Sequence, residues 1–175
     1  MITFVASPAD PPRSYRNLPA NSLNSQALRI GMSLQLSASL QQSQCLQVCT
    51  TSHPDGQLMA FQYLLQQQHR YRHILRCNLA YSHSLLDSIF DDYGFLRYLH
   101  NNQLTSNFNL PFQQRTKLLQ TLRGPNLLVL EKLQKPTTII DFAELIPLLA
   151  PSWTILALTP VKSLLPGFDQ FPALA

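Results

Sequence analysis

Leu127-Leu128-Val129-Leu130 is the stretch that decides the fold, because four apolar residues follow one another with no polar position between them. A strand that is buried on one face alternates apolar and polar residues, whereas an unbroken apolar run is typical of a strand covered on both faces. Such strands occupy the interior of parallel sheets that carry helices on both sides. The run therefore predicts a central strand of a parallel sheet.

Strand and helix patterns alternate on both sides of this run. The other predicted strands are residues 45–50, 73–78 and 153–158. The predicted helices are residues 27–40, 58–69, 84–100 with a division at Gly94, 111–122 and 141–149. Alternation of this kind predicts an α/β fold, a parallel sheet with crossover helices on both faces.

The length of the chain and the composition of its first residues predict the domain organisation. The 175 residues suffice for one hydrophobic core, since domains usually contain about 100–200 residues. Residues 1–25 are rich in Pro, Ser and Asn and offer little to bury, which is typical of a mobile leader. Residues 26–175 are therefore predicted to form a single α/β domain.

The charged residues argue against a nucleic-acid groove. The formal net charge is +4, but the basic residues are scattered along the sequence, whereas nucleic-acid-binding proteins cluster them on one face. Only Arg70, Arg72, His73 and Arg76 come close together, and the solvated rim of an edge strand explains such a group equally well. Nucleic acid is therefore not an expected partner.

The three cysteines and the apolar runs indicate a reduced, cytoplasmic protein. Cys45, Cys49 and Cys77 lie in predicted strands, where a free thiol behaves as a small hydrophobic group. Cys45 and Cys49 would lie more than about 12 Å apart on one strand face, too far to share a zinc ion with His53. No stretch approaches the roughly 18 consecutive apolar residues of a membrane span, and no signal peptide is recognisable, so no membrane association is expected.

Six segments carry a resemblance to a known family. They are residues 17–21 (NLPAN), 60–64 (AFQYL), 71–78 (YRHILRCN), 127–132 (LLVLEK), 145–151 (LIPLLAP) and 155–160 (ILALTP). Their order and texture resemble the nucleotide-binding domain of the STAND class of P-loop NTPases, the NB-ARC-like signalling ATPases. The resemblance extends over residues 17–175 and implies a P-loop NTPase-like three-layer sandwich.

The resemblance places a phosphate-binding loop directly after the first predicted strand. Its residues are Thr50, Thr51, Ser52, His53, Pro54, Asp55, Gly56 and Gln57. A working loop needs glycines that let the amides surround a phosphate, a lysine for the β and γ phosphates and a hydroxyl for magnesium. Here Asp55-Gly56-Gln57 stands where the family has Gly-Lys-Thr, so the lysine is absent and Asp55 adds negative charge. Pro54 also removes one amide donor, and the resemblance therefore implies a degenerate loop.

Three further positions correspond to functional residues of the family. Glu131 stands where an aspartate supports magnesium, which makes it the candidate catalytic residue and metal ligand. Pro160 occupies the place of the arginine that senses the γ phosphate, and Arg29 is the candidate for an arginine upstream of the first strand. Of the family's polar groups, the resemblance thus implies that Glu131 is the best preserved.

The resemblance and its departures lead to one expected function and two alternatives. The expected function is a non-catalytic regulatory or scaffold module without a cofactor. Because the family continues into further helical and winged-helix parts, an open sheet edge or apolar face is expected to bind a protein partner or a second copy. The first alternative is a STAND-class ATPase that binds ATP or ADP with magnesium through weakened phosphate contacts. The second is an unrelated small α/β enzyme that uses the loop at residues 53–56, with His53 within hydrogen-bond reach of Glu131.

Overall fold

The structure is a computed structural model that describes residues 23–52, 55–104, 110–134, 137 and 139–172. The side chains of residues 23–29 and of Tyr93 lie outside this description. His53 and Pro54 of the predicted phosphate loop also lie outside it, as do residues 1–22 of the predicted leader.

Helices and strands alternate through the described residues. The helices are α1 (Leu23–Gln42), α2 (Gly56–Gln67), α3 (Leu85–Phe90), α4 (Tyr93–Asn101), α5 (Phe112–Thr121) and α6 (Phe142–Leu149), and a 3₁₀ turn follows α2 at Gln68–Arg70. The strands are β1 (Cys45–Cys49), β2 (His73–Asn78), β3 (Asn126–Glu131), β4 (Thr154–Thr159) and β5 (Asp169–Gln170).

Within the described part of the chain, five strands form one parallel sheet in the order β2-β3-β4-β1-β5. Leu127 pairs with Ile74 of β2 on one side and with Thr154 of β4 on the other. All four residues of the apolar run, 127–130, are completely buried. The prediction of a central parallel strand is confirmed.

Two hydrophobic cores cover the two faces of the sheet. One core joins α1 and α2 to the strand residues Leu46, Val48, Ile74, Leu127, Val129, Leu156 and Leu158. The other joins α3, α4, α5 and α6 to the intervening strand residues, among them Cys45, Leu75, Leu128, Leu130 and Ile155. Because successive side chains of a strand point to opposite faces, every interior strand contributes to both cores. The predicted α/β fold with helices on both faces is confirmed.

Two details differ from the sequence-based prediction. The helix predicted for residues 84–100 is divided at residues 91–92, and Gly94 lies inside α4. Asp92 sets this boundary because its side chain accepts a hydrogen bond of 2.7 Å from the amide of Phe95 and so caps α4. The second difference is β5, which was not predicted, since two exposed polar residues carry no strand pattern.

A buried polar network joins the amino-terminal ends of β2 and β3. His73 is almost completely buried, with Nδ1 2.7 Å from Oδ1 of Asn126 and Nε2 2.9 Å from the hydroxyl of Tyr98. The Asn126 amide nitrogen donates to the carbonyls of Leu122 and Ser152, which leaves its oxygen as an acceptor. Nδ1 of a neutral His73 therefore donates to Asn126, and Nε2 accepts from Tyr98.

We expect the stability of the protein to fall as the pH is lowered through the ordinary histidine range. Burial lowers the pKa of His73 below 6.5, hydrogen bonding to Asn126 opposes this, and the nearby Arg72 lowers it further. The unfolded chain then binds the proton more readily than the folded chain, so this stabilisation is complete above pH 6.5 and is lost towards the lower folded pKa. Urea unfolding of the wild type and of His73→Gln across this range measures the effect. The variant should lose part of the pH dependence, whereas the exposed-site control His69→Gln should keep it; equal slopes in all three proteins would contradict the prediction.

Candidate functional site

The predicted site residues lie where the carboxyl ends of the strands meet. Parallel strands end at one edge of a sheet, and this edge is where α/β proteins usually bind ligands. Residues 50–52 follow β1, Glu131 ends β3 and Pro160 follows β4. The structure thus brings residues 50–52 of the predicted phosphate loop, the predicted metal ligand Glu131 and Pro160 to the same edge.

The backbone after β1 directs its hydrogen bonds into the protein. The amide of Thr50 donates to the carbonyl of Thr159 at 2.8 Å, and the amide of Ser52 donates to the carbonyl of Cys49 at 3.1 Å. The hydroxyl of Thr51 lies 3.3 Å from the carbonyl of Pro160 and 3.0 Å from the sulfur of Cys49, and its one proton can be donated to either acceptor. In a phosphate-binding loop such donors point outward to the anion, so the amides of Thr50 and Ser52 are already occupied.

The amino terminus of α2 carries a carboxylate. Asp55 precedes the helix, is exposed and makes no capping hydrogen bond through its side chain. Gly56, the first helical residue, is buried, whereas Gln57 is exposed. The amino terminus of a helix attracts anions through its dipole, and Asp55 already places a negative charge next to this terminus.

Glu131 forms an ion pair with Arg76 across β2 and β3. Its Oε1 accepts hydrogen bonds from Nε of Arg76 at 2.8 Å and from Nη2 at 2.5 Å, and both side chains are partly exposed. A magnesium ion at Glu131 would have to compete with this guanidinium group. In the described residues, no group of three or more His, Cys, Asp and Glu side chains is placed to hold a metal ion. The role of Glu131 as a metal ligand or catalytic residue stays a prediction.

Of the other predicted site residues Pro160, Arg29 and His53, the structure describes the surroundings of Pro160. Pro160 lies directly after β4 and contributes its backbone carbonyl to the contact with Thr51. Arg29 lies in α1, but its side chain is outside the description. His53 is outside it as well, so the contact with Glu131 that an enzymatic site would require stays a prediction.

The three cysteines are buried free thiols with different environments. Burial raises the pKa of Cys45 to about 11 and that of Cys77 to about 12. Burial acts in the same direction on Cys49, but hydrogen bonds from Thr51 and Ser52 outweigh it and lower its pKa to about 7. The Cys49 sulfur lies 3.0 Å from the Thr51 hydroxyl and 3.6 Å from the Ser52 hydroxyl. The loop therefore stabilises a thiolate at the end of β1.

Gln47 fixes the chain between β4 and β5. It is completely buried in the middle of β1, and its Nε2 donates to the carbonyls of Val161 and Ser163 at 3.0 and 3.1 Å. Its Oε1 accepts from the amide of Leu165 at 2.7 Å. One side chain thereby satisfies three backbone groups of a connection that contains no helix, and this connection passes beside the candidate site.

Sequence reasoning did not single out Gln47 or Asp141. Asp141 is buried and accepts hydrogen bonds of 2.7 and 2.8 Å from the amides of Leu85 and Leu86 and one of 2.9 Å from the hydroxyl of Ser84. It therefore caps α3 from a distant part of the chain. For Gln47 the sequence offered one signal, a single polar residue inside an otherwise apolar strand pattern. The hydrogen-bond partners of Gln47 could not be predicted from the sequence.

Comparisons with known proteins assign no family. No protein-family model matches this chain, and no curated protein is significantly similar to it. No helix among the described residues has the length and apolar character needed to cross a membrane.

We expect one cysteine to titrate near neutral pH in the folded protein. Thiolate absorbance near 240 nm should rise by one group with a midpoint near 7, and Cys49→Ser should abolish this step. Thr51→Val removes one of the stabilising hydroxyls and should move the midpoint upward, whereas Thr51→Ser should leave it nearly unchanged. The ordinary pKa of cysteine is about 8.5. A wild-type titration with no step below this pH would disprove that the loop lowers the pKa of Cys49.

Loss of the Gln47 side chain should destabilise the fold strongly. Gln47→Ala leaves one amide and two carbonyls without this partner, and we expect a loss of about 2–4 kcal/mol in the free energy of unfolding, measured with urea. The exposed Gln114 of α5 provides a matched control, and Gln114→Ala should change stability by less than about 0.5 kcal/mol. Similar losses in both variants would show that the buried hydrogen bonds of Gln47 contribute little.

Proposed function

We propose that this chain is a non-catalytic regulatory or scaffold module with a P-loop NTPase-like architecture, which acts through protein contacts and does not bind nucleotide phosphates. The three-layer α/β fold and the order of the resembling segments support the architectural part of the proposal. The arrangement at the carboxyl edge of the sheet supports the lack of phosphate binding.

The observation that carries the proposal is the use of the loop after β1 for internal contacts. Amides that would have to turn towards a phosphate instead donate to Thr159 and Cys49. Redirecting them would break the bond that extends the pairing of β1 with β4. Each lost bond of this kind costs about 1 kcal/mol, and more where a buried group stays unpaired. Phosphate binding would therefore act against the fold itself.

The charges at this edge support the same conclusion. Phosphoryl transfer depends almost entirely on positive charges and metal ions around the phosphates. Asp55 contributes a negative charge at the start of α2, and Arg76, the cation next to Glu131, is engaged in an ion pair with it. Magnesium-ATP fits poorly to this arrangement, because the carboxylate that would support the metal is already neutralised.

Exposed apolar groups near the carboxyl edge support a role in protein contacts. Tyr81 is 96% exposed and Ile140 is 83% exposed. Their loops touch, since the amide of Ile140 donates to the carbonyl of His83 at 2.9 Å. Large apolar side chains that reach into solvent from adjoining loops are candidates for a surface that binds another protein.

Nucleotide titration tests the proposal directly. Isothermal titration of the full chain with ATP or ADP in the presence of magnesium should show no binding tighter than about 100 µM, which corresponds to roughly 5 kcal/mol. Asp55→Asn removes the repelling charge. We expect this variant to show no binding tighter than about 100 µM either, because the amides of Thr50 and Ser52 remain hydrogen-bonded within the protein.

Tighter binding by the wild type would overturn the proposal in favour of a nucleotide-binding signalling ATPase. In that case Glu131→Gln should weaken binding in magnesium much more than in chelator, because the carboxylate would act through the metal. Lys162→Gln serves as a control for nonspecific attraction, since Lys162 is exposed in the connection after β4.

A further inference from the structure

Helices α1 and α2 expose an apolar surface on the side that faces away from the sheet. Ile30 and Leu34 lie one turn apart on α1, and Phe61 and Leu65 lie one turn apart on α2. These four side chains are between 37% and 61% exposed. The buried residues of both helices, among them Met32, Leu36, Met59 and Tyr63, occupy the sheet-facing core. We call the four exposed residues and their solvent-facing neighbours the α1–α2 face.

The two helices that carry this face lie side by side. The Ser33 hydroxyl of α1 donates to Oε1 of Gln66 in α2 at 2.9 Å. Leu34 and Leu65 are the immediate chain neighbours of these two residues. In a helix, residues four positions apart lie on the same side, so each of the two adjacent helices presents its own apolar pair to solvent.

The α1–α2 face is nearly free of charge. The chain contains 13 Lys and Arg and 9 Asp and Glu. Helices α1 and α2 have 20 and 12 residues, and Arg29 is the one charged residue in these two helices. Other exposed positions of α1 are filled by Gln, Ala and Gly, as at Gln35, Ala38 and Gln41. Helices exposed to solvent usually carry charged residues on the outer face, whereas the centre of a protein interface is depleted of them.

We propose that the α1–α2 face binds the same face of a second copy of this chain, so that the protein forms a two-fold symmetric dimer. The inference rests on the proposed function, which it deepens by naming the partner. Two copies with a net charge of +4 each repel one another, and an uncharged face allows the closest approach at the lowest electrostatic cost. A partner selected by charge would find no charged group among the described side chains of α1 and α2, whereas a two-fold interface needs only a surface complementary to itself.

The size of the face fits a dimer of moderate affinity. Helices of these lengths measure about 30 and 18 Å, and two adjacent helices are roughly 20 Å wide. Both copies together would bury about 1,000 Å², which is near the lower limit for a specific interface. Interfaces of this size belong to the weaker, transient class, and we therefore expect an equilibrium between monomer and dimer.

Sedimentation velocity or light scattering of the full chain tests the dimer. The wild type should be mainly dimeric at about 100 µM and should dissociate on dilution towards 1 µM. Leu34→Glu and Leu65→Glu bring like charges together across the interface. Each should raise the dissociation constant of the dimer at least tenfold. Leu164→Glu is the matched control, because Leu164 is 53% exposed but lies in the connection between β4 and β5.

Ala38→Arg keeps the test decisive if the leucine variants do not fold. Ala38 is exposed on α1, one turn after Leu34, so arginine should be tolerated there while weakening the dimer; circular dichroism checks folding in each case. A monomeric wild type at the highest concentration, or equal effects at Leu34 and Leu164, would overturn the inference. Either result leaves the proposed function standing if nucleotides do not bind, whereas tight nucleotide binding removes the proposed function whatever the oligomeric state.

Discussion

The burial of β3 on both of its faces is the constraint on which the rest of the structure depends. Leu127 to Leu130 are completely buried, with β2 and β4 as neighbours and one hydrophobic core on each side. Since the strands run parallel, each connection must lead from the carboxyl end of one strand back to the amino end of the next. Helices on the two faces of the sheet form most of these connections. All strands consequently end at one edge, and this places residues 50–52, Glu131 and Pro160 together.

Polar side chains inside the sheet serve the fold. Gln47, His73 and Asn126 are buried in β1, β2 and β3, and each is hydrogen-bonded to groups that lie far away in the sequence. Thr159, at the end of β4, donates to the carbonyl of Leu133 and accepts from the amide of Val161. Buried polar groups that lack partners are costly, so these contacts fix the register of strands and connections. Backbone groups at the carboxyl ends of the strands are paired in the same way, since the amides of Thr50 and Ser52 donate to carbonyls of the protein itself.

Local patterns predicted the helices and the first four strands, whereas they did not predict β5 or the contacts between distant residues. The apolar run at residues 127–130 and the alternation around it were sufficient for the sheet, because burial on both faces leaves a mark in consecutive residues. The sequence favours a helix break at Gly94, while the capping carboxylate of Asp92, two residues earlier, sets the actual boundary. The hydrogen bonds of Gln47 span more than 110 residues, and no local pattern encodes such a contact. The ion pair of Glu131 likewise depends on the register that sets Arg76 beside it.

Two exposed apolar surfaces lie in different layers of the fold. The α1–α2 face is apolar and almost uncharged, whereas the loops of Tyr81 and Ile140 belong to connections that lead into α3 and α6 in the other layer. A dimer formed through the α1–α2 face would therefore leave both of these exposed groups uncovered. Two copies of such a group on one particle bind a repetitive or dimeric partner far more tightly than one copy, because the second contact forms at high effective concentration. In the proposed dimer, this doubling of a weak contact would supply affinity that a single small patch could not provide.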